Sequence, residues 1–187
     1  MDPIIFVSRN ASKASEYLKI FSAHGMTSIQ EPADLTEIQD PDADKIVREK
    51  AISAYRQIGR KLFVEHTSFE IEYLNGFPSG LTSHFIEMIG ESKICDLFGS
   101  GGREAACGVT RIGYCDGKRI HVFKGLLKGR VSDRPSGGTD PWSSFGWNRI
   151  FIPDGFDKTL ADIGIDVKNE ISMRKRAASE LIDHLRR

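Results

Sequence analysis

The chain has 187 residues, 40% of them hydrophobic, and its 26 lysine and arginine residues balance 26 aspartate and glutamate residues. That length suits one domain with a buried core, and the charge balance excludes a global positive field that would gather nucleic acid or a membrane surface. No run approaches the roughly 20 apolar residues of a membrane span, and the start lacks a basic secretion signal, so we expect a soluble, unexported, cytoplasmic protein.

The first half of the chain alternates strand and helix patterns. Residues 4–7 form a short apolar run that predicts a buried strand, and the amphipathic segment 11–23 predicts a helix directly after it. Apolar residues recur at helical spacing over residues 42–58, and Gly59 is a suitable helix C-cap. Residues 62–64 predict a second buried strand.

The middle of the chain changes to strands after one helical segment. Residues 69–73 alternate apolar and polar side chains, and residues 85–98 have a helical pattern that ends at a run of glycines. Residues 105–114 and 120–127 are rich in strand-forming residues. Asp116-Gly117 between them suits the positive φ angles of a tight turn, so we expect a long β-hairpin.

The end of the chain supplies a loop and a closing helix. Residues 132–146 are rich in Ser, Gly, Pro and Asp and predict a loop, and residues 171–185 predict a basic amphipathic helix. The three cysteines are odd in number and lack metal-motif spacing, so we expect free thiols at Cys95, Cys107 and Cys115. The whole pattern predicts an α/β fold with a mixed, partly antiparallel sheet.

The first strand-to-helix junction is a candidate anion site. Ser8, Asn10 and Lys13 bring a hydroxyl, an amide and an ammonium to a helix N-terminus, where backbone N–H groups and the helix dipole favour an anion such as a triphosphate. Asn10 is equally suited to ordinary helix capping, and Lys13 to a solvated surface charge. Taken alone, this segment leaves both interpretations open.

Other candidates are weaker individually. Glu37 and Glu65 are carboxylates that could face a hard cation, although each alone is typical of a surface acid. The aromatic residues of 145–147 could stack on a nucleobase, or belong to a small satellite core. Ser172 and Arg174 at the start of the last helix are also expected as a cap and a surface charge.

The order of these elements resembles the inosine triphosphate pyrophosphatase family from Ser8 to Leu185. The family's Thr/Ser-x-Asn-x-x-Lys motif is matched by Ser8, Asn10 and Lys13, and its Asp-Leu-x-Glu-x-Gln stretch by Asp34 to Gln39. Further matches are Lys50, the Leu74 to Pro78 stretch, Phe145 to Asn148, Pro153 to Gly155, and Lys168-Asn169.

The resemblance implies one domain over residues 1–187, elongated and two-lobed, with a central nucleotide cleft and a homodimeric assembly. It also implies hydrolysis of inosine, xanthosine and deoxyinosine triphosphates to the monophosphate and pyrophosphate with Mg²⁺. By the same resemblance, Glu37 and Glu65 would serve the metal. Substrate would be held by Ser8, Asn10, Lys13, Lys50, Phe145, Gly146, Trp147, Asn148, Lys168, Ser172 and Arg174.

The sequence departs from the family at its catalytic aspartate. The family's Glu-Asp-Thr is here Glu65-His66-Thr67, so an imidazole replaces the carboxylate that helps bind Mg²⁺ and activate water. Mg²⁺ prefers oxygen ligands, so we expect Mg²⁺ binding to be weak, or Mn²⁺ to replace it, and hydrolysis to be impaired. The alternative is that His66 itself acts as the base or recruits a softer metal such as manganese, zinc or nickel.

Two further departures concern the base. Asn148 stands in place of a family aspartate, and Met173 in place of a family histidine, whereas Arg174 remains as a donor toward a purine O6. Retention of Arg174 favours 6-oxo purines over adenine, because a buried donor rejects a base that cannot accept from it. Asn148 offers both a donor and an acceptor, so it could change the choice among 6-oxo bases.

Two functions follow as hypotheses. The first is a sensor or regulatory subunit that binds a deaminated purine triphosphate such as ITP or dITP with weakened or lost hydrolysis and reports it to an effector protein, as would suit anti-phage defence. The second is an active purine triphosphate pyrophosphatase with altered metal or base choice. His66 discriminates between them, because turnover requires a base or metal at that position and sensing requires neither.

Overall fold

The computed structural model describes residues 3–137 and 146–187. The strands are β1 (Ile4–Val7), β2 (Ser28–Glu31), β3 (Leu62–Ile71), β4 (Pro78–Ser79), β5 (Ala105–Cys115), β6 (Ile120–Val131) and β7 (Phe151–Pro153). The described residues form six α-helices: α1 (Ala11–Ala23), α2 (Ala43–Ile58), α3 (Thr82–Ile89), α4 (Glu91–Phe98), α5 (Ile165–Ile171) and α6 (Met173–Leu185). A 3-10 turn (Glu72–Leu74) follows β3.

The strands form one mixed sheet in the order β2-β1-β3-β5-β6-β7, with β4 paired to β3. β1 runs parallel to both β2 and β3, whereas β3 with β4 and β6 with β7 are antiparallel pairs. The parallel strands are joined by helical crossovers, which parallel pairing requires. The expected α/β fold with a partly antiparallel sheet is therefore confirmed.

Helix α2 begins and ends where the sequence indicates. The Asp42 side chain accepts hydrogen bonds from the backbone N–H groups of Asp44 and Lys45, which would otherwise have no partner at the helix start. Gly59 closes the helix with a left-handed φ of 69°. The predicted helix over residues 42–58 is confirmed.

The predicted hairpin is also confirmed and is longer than its sequence pattern. β5 and β6 are neighbours in the sheet and are joined by a short turn in which Gly117 has φ 94°. The Asp116 carboxylate accepts from the backbone N–H groups of Lys118 and Arg119. This side chain fixes the turn, because aspartate readily bonds to backbone groups two and three residues on.

Several elements differ from the prediction. The single helix expected over residues 85–98 is two helices, because Gly90 between them has φ 84°. The strand expected over residues 62–64 and most of the alternating segment over residues 69–73 form one strand that ends at Ile71. Tyr73 belongs to the 3-10 turn that follows. The closing helix starts at Met173 and is preceded by the unpredicted helix α5. β2 and β7 are short and were not predicted.

The chain divides into two compact units. The first comprises residues 1–67, 110–125 and 173–187, and the second residues 68–109 and 126–172. In the first unit, sheet residues alternate between two apolar clusters: Phe6 and Phe63 pack with Tyr17 and Phe21, whereas Ile5 and other alternate residues pack against α2. In the second unit, the Phe69, Trp147 and Phe151 rings pack together.

The cysteines are free thiols, with Cys95 and Cys115 buried and Cys107 half-buried. Within the described residues, no helix combines the length and apolar character needed to cross a membrane.

Candidate functional site

The junction of β1 and α1 is stabilised by its own side chains. The Asn10 Oδ1 accepts from the backbone N–H of Lys13 at 3.0 Å, so Asn10 is the N-cap of α1. The Ser8 hydroxyl accepts from the backbone N–H of Asn10 at 3.1 Å. The capping interpretation is therefore realised at this junction. Lys13 directs its ammonium to the Glu65 Oε1 at 2.9 Å.

Glu65 lies in β3, beyond the point where β3 pairs with β1. The parallel register matches Phe6 with Phe63, so continuing it by two residues brings Ser8 level with Glu65. Side chains at the carboxyl ends of adjacent parallel strands share one edge of a sheet, where ligands commonly bind in α/β folds. Here the edge is occupied by a buried ion network around Glu65, which is only 3% exposed.

Five donors converge on the Glu65 carboxylate. Arg174 binds it through two guanidinium nitrogens, Nε to Oε2 at 2.5 Å and Nη2 to Oε1 at 3.0 Å. The Tyr17 hydroxyl donates to Oε2 at 2.7 Å, and the Thr67 hydroxyl to Oε1 at 3.1 Å. With Lys13 as the fifth donor, the about four lone-pair sites of the carboxylate are filled.

The network shifts the pKa values of Glu65 and Tyr17. Burial raises the pKa of Glu65, but the charges of Arg174 and Lys13 outweigh burial and hold that pKa well below its usual range. Burial, followed by the charge of Glu65, raises the pKa of the Tyr17 phenol well above its usual value. The Arg174 Nη1 also donates to Glu16, a second buried carboxylate. Within residues 3–137 and 146–187, this part of the site brings together two cations, Lys13 and Arg174, and two carboxylates, Glu65 and Glu16.

His66 lies next to Glu65 in β3, on the opposite face of the strand, and pairs with Glu37. The His66 Nδ1 is 3.1 Å from the Glu37 Oε1, and the Lys50 ammonium is 3.2 Å from the Glu37 Oε2. The hydrogen bond from His66, opposed by burial and assisted by Lys50, lowers the pKa of Glu37 to about 2. Glu37 is thus ionised at neutral pH and can only accept, so the His66 Nδ1 carries the proton of this hydrogen bond.

The other ring nitrogen of His66 has no hydrogen-bond partner in the part of the chain that the structure describes. Nε2 is buried and has no hydrogen bond to any of the described residues. In the neutral ring, Nε2 bears a lone pair, because Nδ1 is the protonated nitrogen. The imidazole is therefore held by Glu37 on one side and offers an unused acceptor on the other.

A second acid on the α2 side binds two cations. Asp44, in the first turn of α2, accepts from the Arg111 Nε at 2.6 Å and lies 2.7 Å from the Lys124 ammonium. Gly113 lets β5 pack closely here, since a Cβ would lie 2.9 Å from the Val47 carbonyl oxygen. Burial raises the pKa of Asp44, but hydrogen bonds from Lys124 and Arg111 hold that pKa below its usual range.

The proposed base-binding residues of the second unit have local partners. Trp147 is 5% exposed and stacks on Phe69 at a ring-centroid distance of 5.2 Å, so it is part of the apolar core. Gly146 has φ 61° and open space around its Cα. The Lys168 ammonium donates to the Asn169 side chain, and the buried Ser172 hydroxyl donates to the Asn169 carbonyl. Asn148 is half-buried, and Phe145 lies outside the described residues.

The structure thus joins several of the sequence-predicted residues and reveals others. Glu65 joins Lys13 and Arg174 in one network, and Glu37 joins Lys50 and His66 in another. Five residues of these networks were not predicted from the sequence: Glu16, Tyr17, Asp44, Arg111 and Lys124. One signal was present: Arg111 interrupts the apolar run of β5, where a charge needs a buried partner.

The residues do not fit the Mg²⁺ site that the family resemblance implies. Glu65 has no lone pair left for a cation, and position 66 offers a nitrogen in place of an oxygen. Only Glu37 remains, and it is already shared between two cationic or donor groups, whereas Mg²⁺ demands near-octahedral oxygen ligands. Within the described residues, no group of three or more His, Cys, Asp or Glu side chains could hold a metal ion.

Comparison with known proteins places the chain in a family. The Ham1 family model matches residues 4–184, and the chain belongs to the Ham1 family. It is 35% identical to the inosine triphosphate pyrophosphatase of Kluyveromyces lactis, covering 97% of this chain and 95% of that protein. It is 30% identical to the dITP/XTP pyrophosphatase of Methanopyrus kandleri, covering 93% and 91%.

Solved structures agree on the fold. A HAM1 protein from Coxiella burnetii superposes with a TM-score of 0.84 at 20% identity, covering 99% of this chain and 98% of that one. The Staphylococcus aureus Ham1 protein gives a TM-score of 0.74 at 20% identity, with the same coverage.

Proposed function

We propose that this chain binds a deaminated purine nucleoside triphosphate such as ITP or dITP, hydrolyses it slowly or not at all, and reports its presence to an effector protein. Family membership supports the ligand class, because relatives carry the names inosine triphosphate pyrophosphatase and dITP/XTP pyrophosphatase. The observation that supports the loss of turnover is that the Glu65 carboxylate, next to His66, already accepts hydrogen bonds from Arg174, Tyr17 and Thr67.

Hydrolysis of a phosphoanhydride requires an attacking water to be deprotonated and aimed, by a metal or by a general base. The Glu65 carboxylate accepts from five donor groups, and the Glu37 carboxylate is paired with His66 and Lys50. We therefore propose that neither carboxylate is available as a base. Among the residues that the structure describes, no oxygen set matches the Mg²⁺ or Mn²⁺ that the resemblance implies.

We propose that nucleotide binding survives because the residues assigned to it do not depend on a metal ion. Lys13 and Lys50 would keep their carboxylate partners and donate to phosphate oxygens with their other ammonium N–H groups, since an ammonium has three, while Ser8 and Asn10 hold the helix N-terminus in shape. Among the described residues, three of the five guanidinium N–H groups of Arg174 donate to carboxylates, and we propose that a purine O6 accepts from the other two. Phe145, Gly146, Trp147, Asn148, Lys168 and Ser172 are the proposed base-side residues.

The assembly and its surroundings belong to the same proposal. We propose that residues 1–187 act as one inosine triphosphate pyrophosphatase-like domain, as a homodimer in the cytoplasm. A sensor also needs a surface for its effector, and α3 offers apolar side chains toward solvent: Met88 is 81% exposed. A role in anti-phage defence is part of this proposal, and it rests only on the departure from the family pattern at His66.

One observation favours the alternative of an active pyrophosphatase. The Glu37–His66 pair with its unused Nε2 has the arrangement of an oriented general base, in which a carboxylate fixes the imidazole tautomer. Under that alternative, His66 would take a proton from the attacking water. The two functions share the ligand and differ in turnover.

The ligand is tested by thermal unfolding with a panel of purine triphosphates. Since a ligand that binds only the native state raises the melting temperature, dITP and ITP should raise it more than dATP and ATP at equal concentration. Equal shifts with all four nucleotides would remove the proposed base discrimination. No shift with any of them would remove the nucleotide from the proposal.

A further inference from the structure

Arg9 is an exposed cation within the junction of β1 and α1. It stands between Ser8 and Asn10, and the hydrogen bond from the Asn10 backbone N–H to the Ser8 hydroxyl holds the chain on both sides of it. The Asn10 side chain in turn caps α1. The Arg9 side chain is 72% exposed. The backbone of Arg9 is therefore ordered by the junction, whereas its guanidinium is accessible to a ligand.

The Arg9 side chain contacts the chain segment that carries Glu37. The Arg9 Nη1 lies 3.2 Å from the Asp34 Oδ1. Asp34 precedes Glu37 by three residues, and three residues of chain span at most about 11 Å. Glu37 accepts a hydrogen bond from Lys50, one of the two lysines proposed to bind phosphate. The ion pair therefore joins the junction that carries Lys13 to the segment that contacts Lys50.

The ion pair between Arg9 and Asp34 is weak enough for a phosphate to replace the carboxylate. The Asp34 side chain is 85% exposed, so water and salt screen both charges, and exposed pairs of this kind contribute little to stability. A terminal phosphate carries more negative charge than a carboxylate, and a guanidinium binds two phosphate oxygens at once. A phosphate placed at this junction can therefore displace Asp34 from Arg9.

The other groups proposed to hold the nucleotide lie around Glu65. Lys13 and Arg174, the proposed donor toward the purine, both bind the Glu65 carboxylate. Arg9 is directed to Asp34 instead. A nucleotide whose base lies near Arg174 therefore extends its phosphates past Lys13 toward Arg9. The phosphate furthest from the base is the one that meets the Arg9 guanidinium.

We infer that Arg9 binds the terminal phosphate of the nucleotide and makes the chain select a triphosphate over a diphosphate. The inference rests on the proposed function, because it requires the purine to lie near Arg174, and it adds to that function the number of phosphates that the ligand must carry. A diphosphate leaves Arg9 paired with Asp34. A triphosphate gains a charge-assisted, two-point contact with the guanidinium.

Titration calorimetry of the full chain measures this selection. The probes are the α,β-methylene analogues of dITP and dIDP, in which a carbon replaces the oxygen between the first two phosphates and blocks hydrolysis there. Wild type should bind the triphosphate analogue at least about tenfold more tightly than the diphosphate analogue. Arg9→Gln should weaken binding of the triphosphate analogue by about tenfold and of the diphosphate analogue by less than about threefold.

The outcomes separate the inference from the proposed function. Equal affinity of wild type for the two analogues would overturn the inference and leave the proposed function standing. Arg9→Gln that weakens both analogues equally, or neither, would do the same. Absence of wild-type binding to the triphosphate analogue would overturn both the inference and the proposed function.

Two further variants separate a phosphate contact from loss of the ion pair. Asp34→Asn removes the carboxylate that competes for Arg9, so it should bind the triphosphate analogue at least as tightly as wild type. A tenfold loss would show that binding needs the ion pair itself and would contradict the inference. Arg119→Gln is the matched control, at an exposed position of the hairpin turn, where Gly117 lies near Tyr55 in the last turns of α2. It should leave both affinities unchanged, and a loss as large as that of Arg9→Gln would reduce the effect to net charge and overturn the inference.

Discussion

Arg174 in helix α6 and Glu65 in strand β3 are 109 residues apart and form a buried two-point ion pair. Arg174 is 9% exposed and Glu65 is 3% exposed, so both charges depend on each other and on the neighbouring Glu16, Lys13 and Tyr17. A planar guanidinium matches a carboxylate at two points, which a lysine cannot do. This pair ties the last helix to the sheet edge where the triphosphate is proposed to bind.

Replacing Arg174 by methionine should therefore destabilise the fold strongly. The change leaves Glu65 and Glu16 buried with fewer cations, and breaking a buried pair costs about 3–5 kcal/mol. Urea unfolding measures this loss. Glu180→Met, at an exposed position of the same helix, should cost no more than about 0.5 kcal/mol.

The double variant Arg174→Met/Glu65→Leu separates the cost of an unpaired buried Glu65 charge from the loss of the other contacts of Glu65. It should be more stable than Arg174→Met alone, because it removes one of the uncompensated buried charges. A double variant less stable than Arg174→Met would show that Glu65 matters mainly through Tyr17, Thr67 and Lys13.

The Glu37–His66–Lys50 cluster should make stability depend on acid pH. The pKa of Glu37 is lowered to about 2 from 4.5, so the ionised carboxylate stabilises the fold above the unfolded pKa, and this contribution is lost as pH falls toward 2. The difference in unfolding free energy between wild type and Glu37→Gln should be constant above about pH 5 and shrink below it. A difference that stays constant down to pH 3, or grows, would contradict the pairing.

Lys13→Met should discriminate between phosphate and base binding. The Lys13 ammonium lies at the start of α1, so its loss should weaken dITP binding by about tenfold or more and deoxyinosine binding far less. Calorimetry with both ligands measures this difference. Lys19→Met, at an exposed position later in the same helix, is the matched control, and equal losses for the two ligands would remove Lys13 from the phosphate site.

His66→Asp should raise Mg²⁺-dependent pyrophosphate release. The aspartate supplies a hard oxygen ligand where wild type has an imidazole nitrogen, and under the sensor proposal it also supplies the missing base, whose catalysis contributes about 10²–10⁴-fold in rate. His66→Asn has a similar shape and no charge, so it should give no increase. Wild-type turnover at the rate of an ordinary enzyme, slowed by His66→Asp, would make His66 the base of a rebuilt active site.

Local signals explain which parts of the fold the sequence predicts. Asp42 and Gly59 mark the ends of α2, and Asp116-Gly117 marks the hairpin, because capping and turn preferences act within a few residues. Helix α5 has no side-chain N-cap, and only Ser28 of β2 is buried, so neither segment carries a clear pattern.

The site was predicted less completely than the fold, because its contacts are long-range. The motif order identified Glu37, Glu65 and His66, but no spacing in the sequence connects Tyr17 or Arg174 to Glu65 across 48 and 109 residues. The sequence interpretation of Glu65 as a metal ligand and of Arg174 as a base donor assigns each an external partner. In the folded chain, Glu65 and Arg174 are each other's partners.

The central claim is tested most directly by the turnover number of wild-type protein for dITP in Mg²⁺, measured as pyrophosphate released under conditions where calorimetry shows saturation. Typical enzymes turn over at about 1–10³ s⁻¹, and loss of the base and metal predicts roughly 10⁻² s⁻¹ or slower, with bound dITP recovered intact. Saturable binding without turnover is the predicted result. Turnover of about 1 s⁻¹ or faster at saturation would contradict the sensor function and establish a pyrophosphatase.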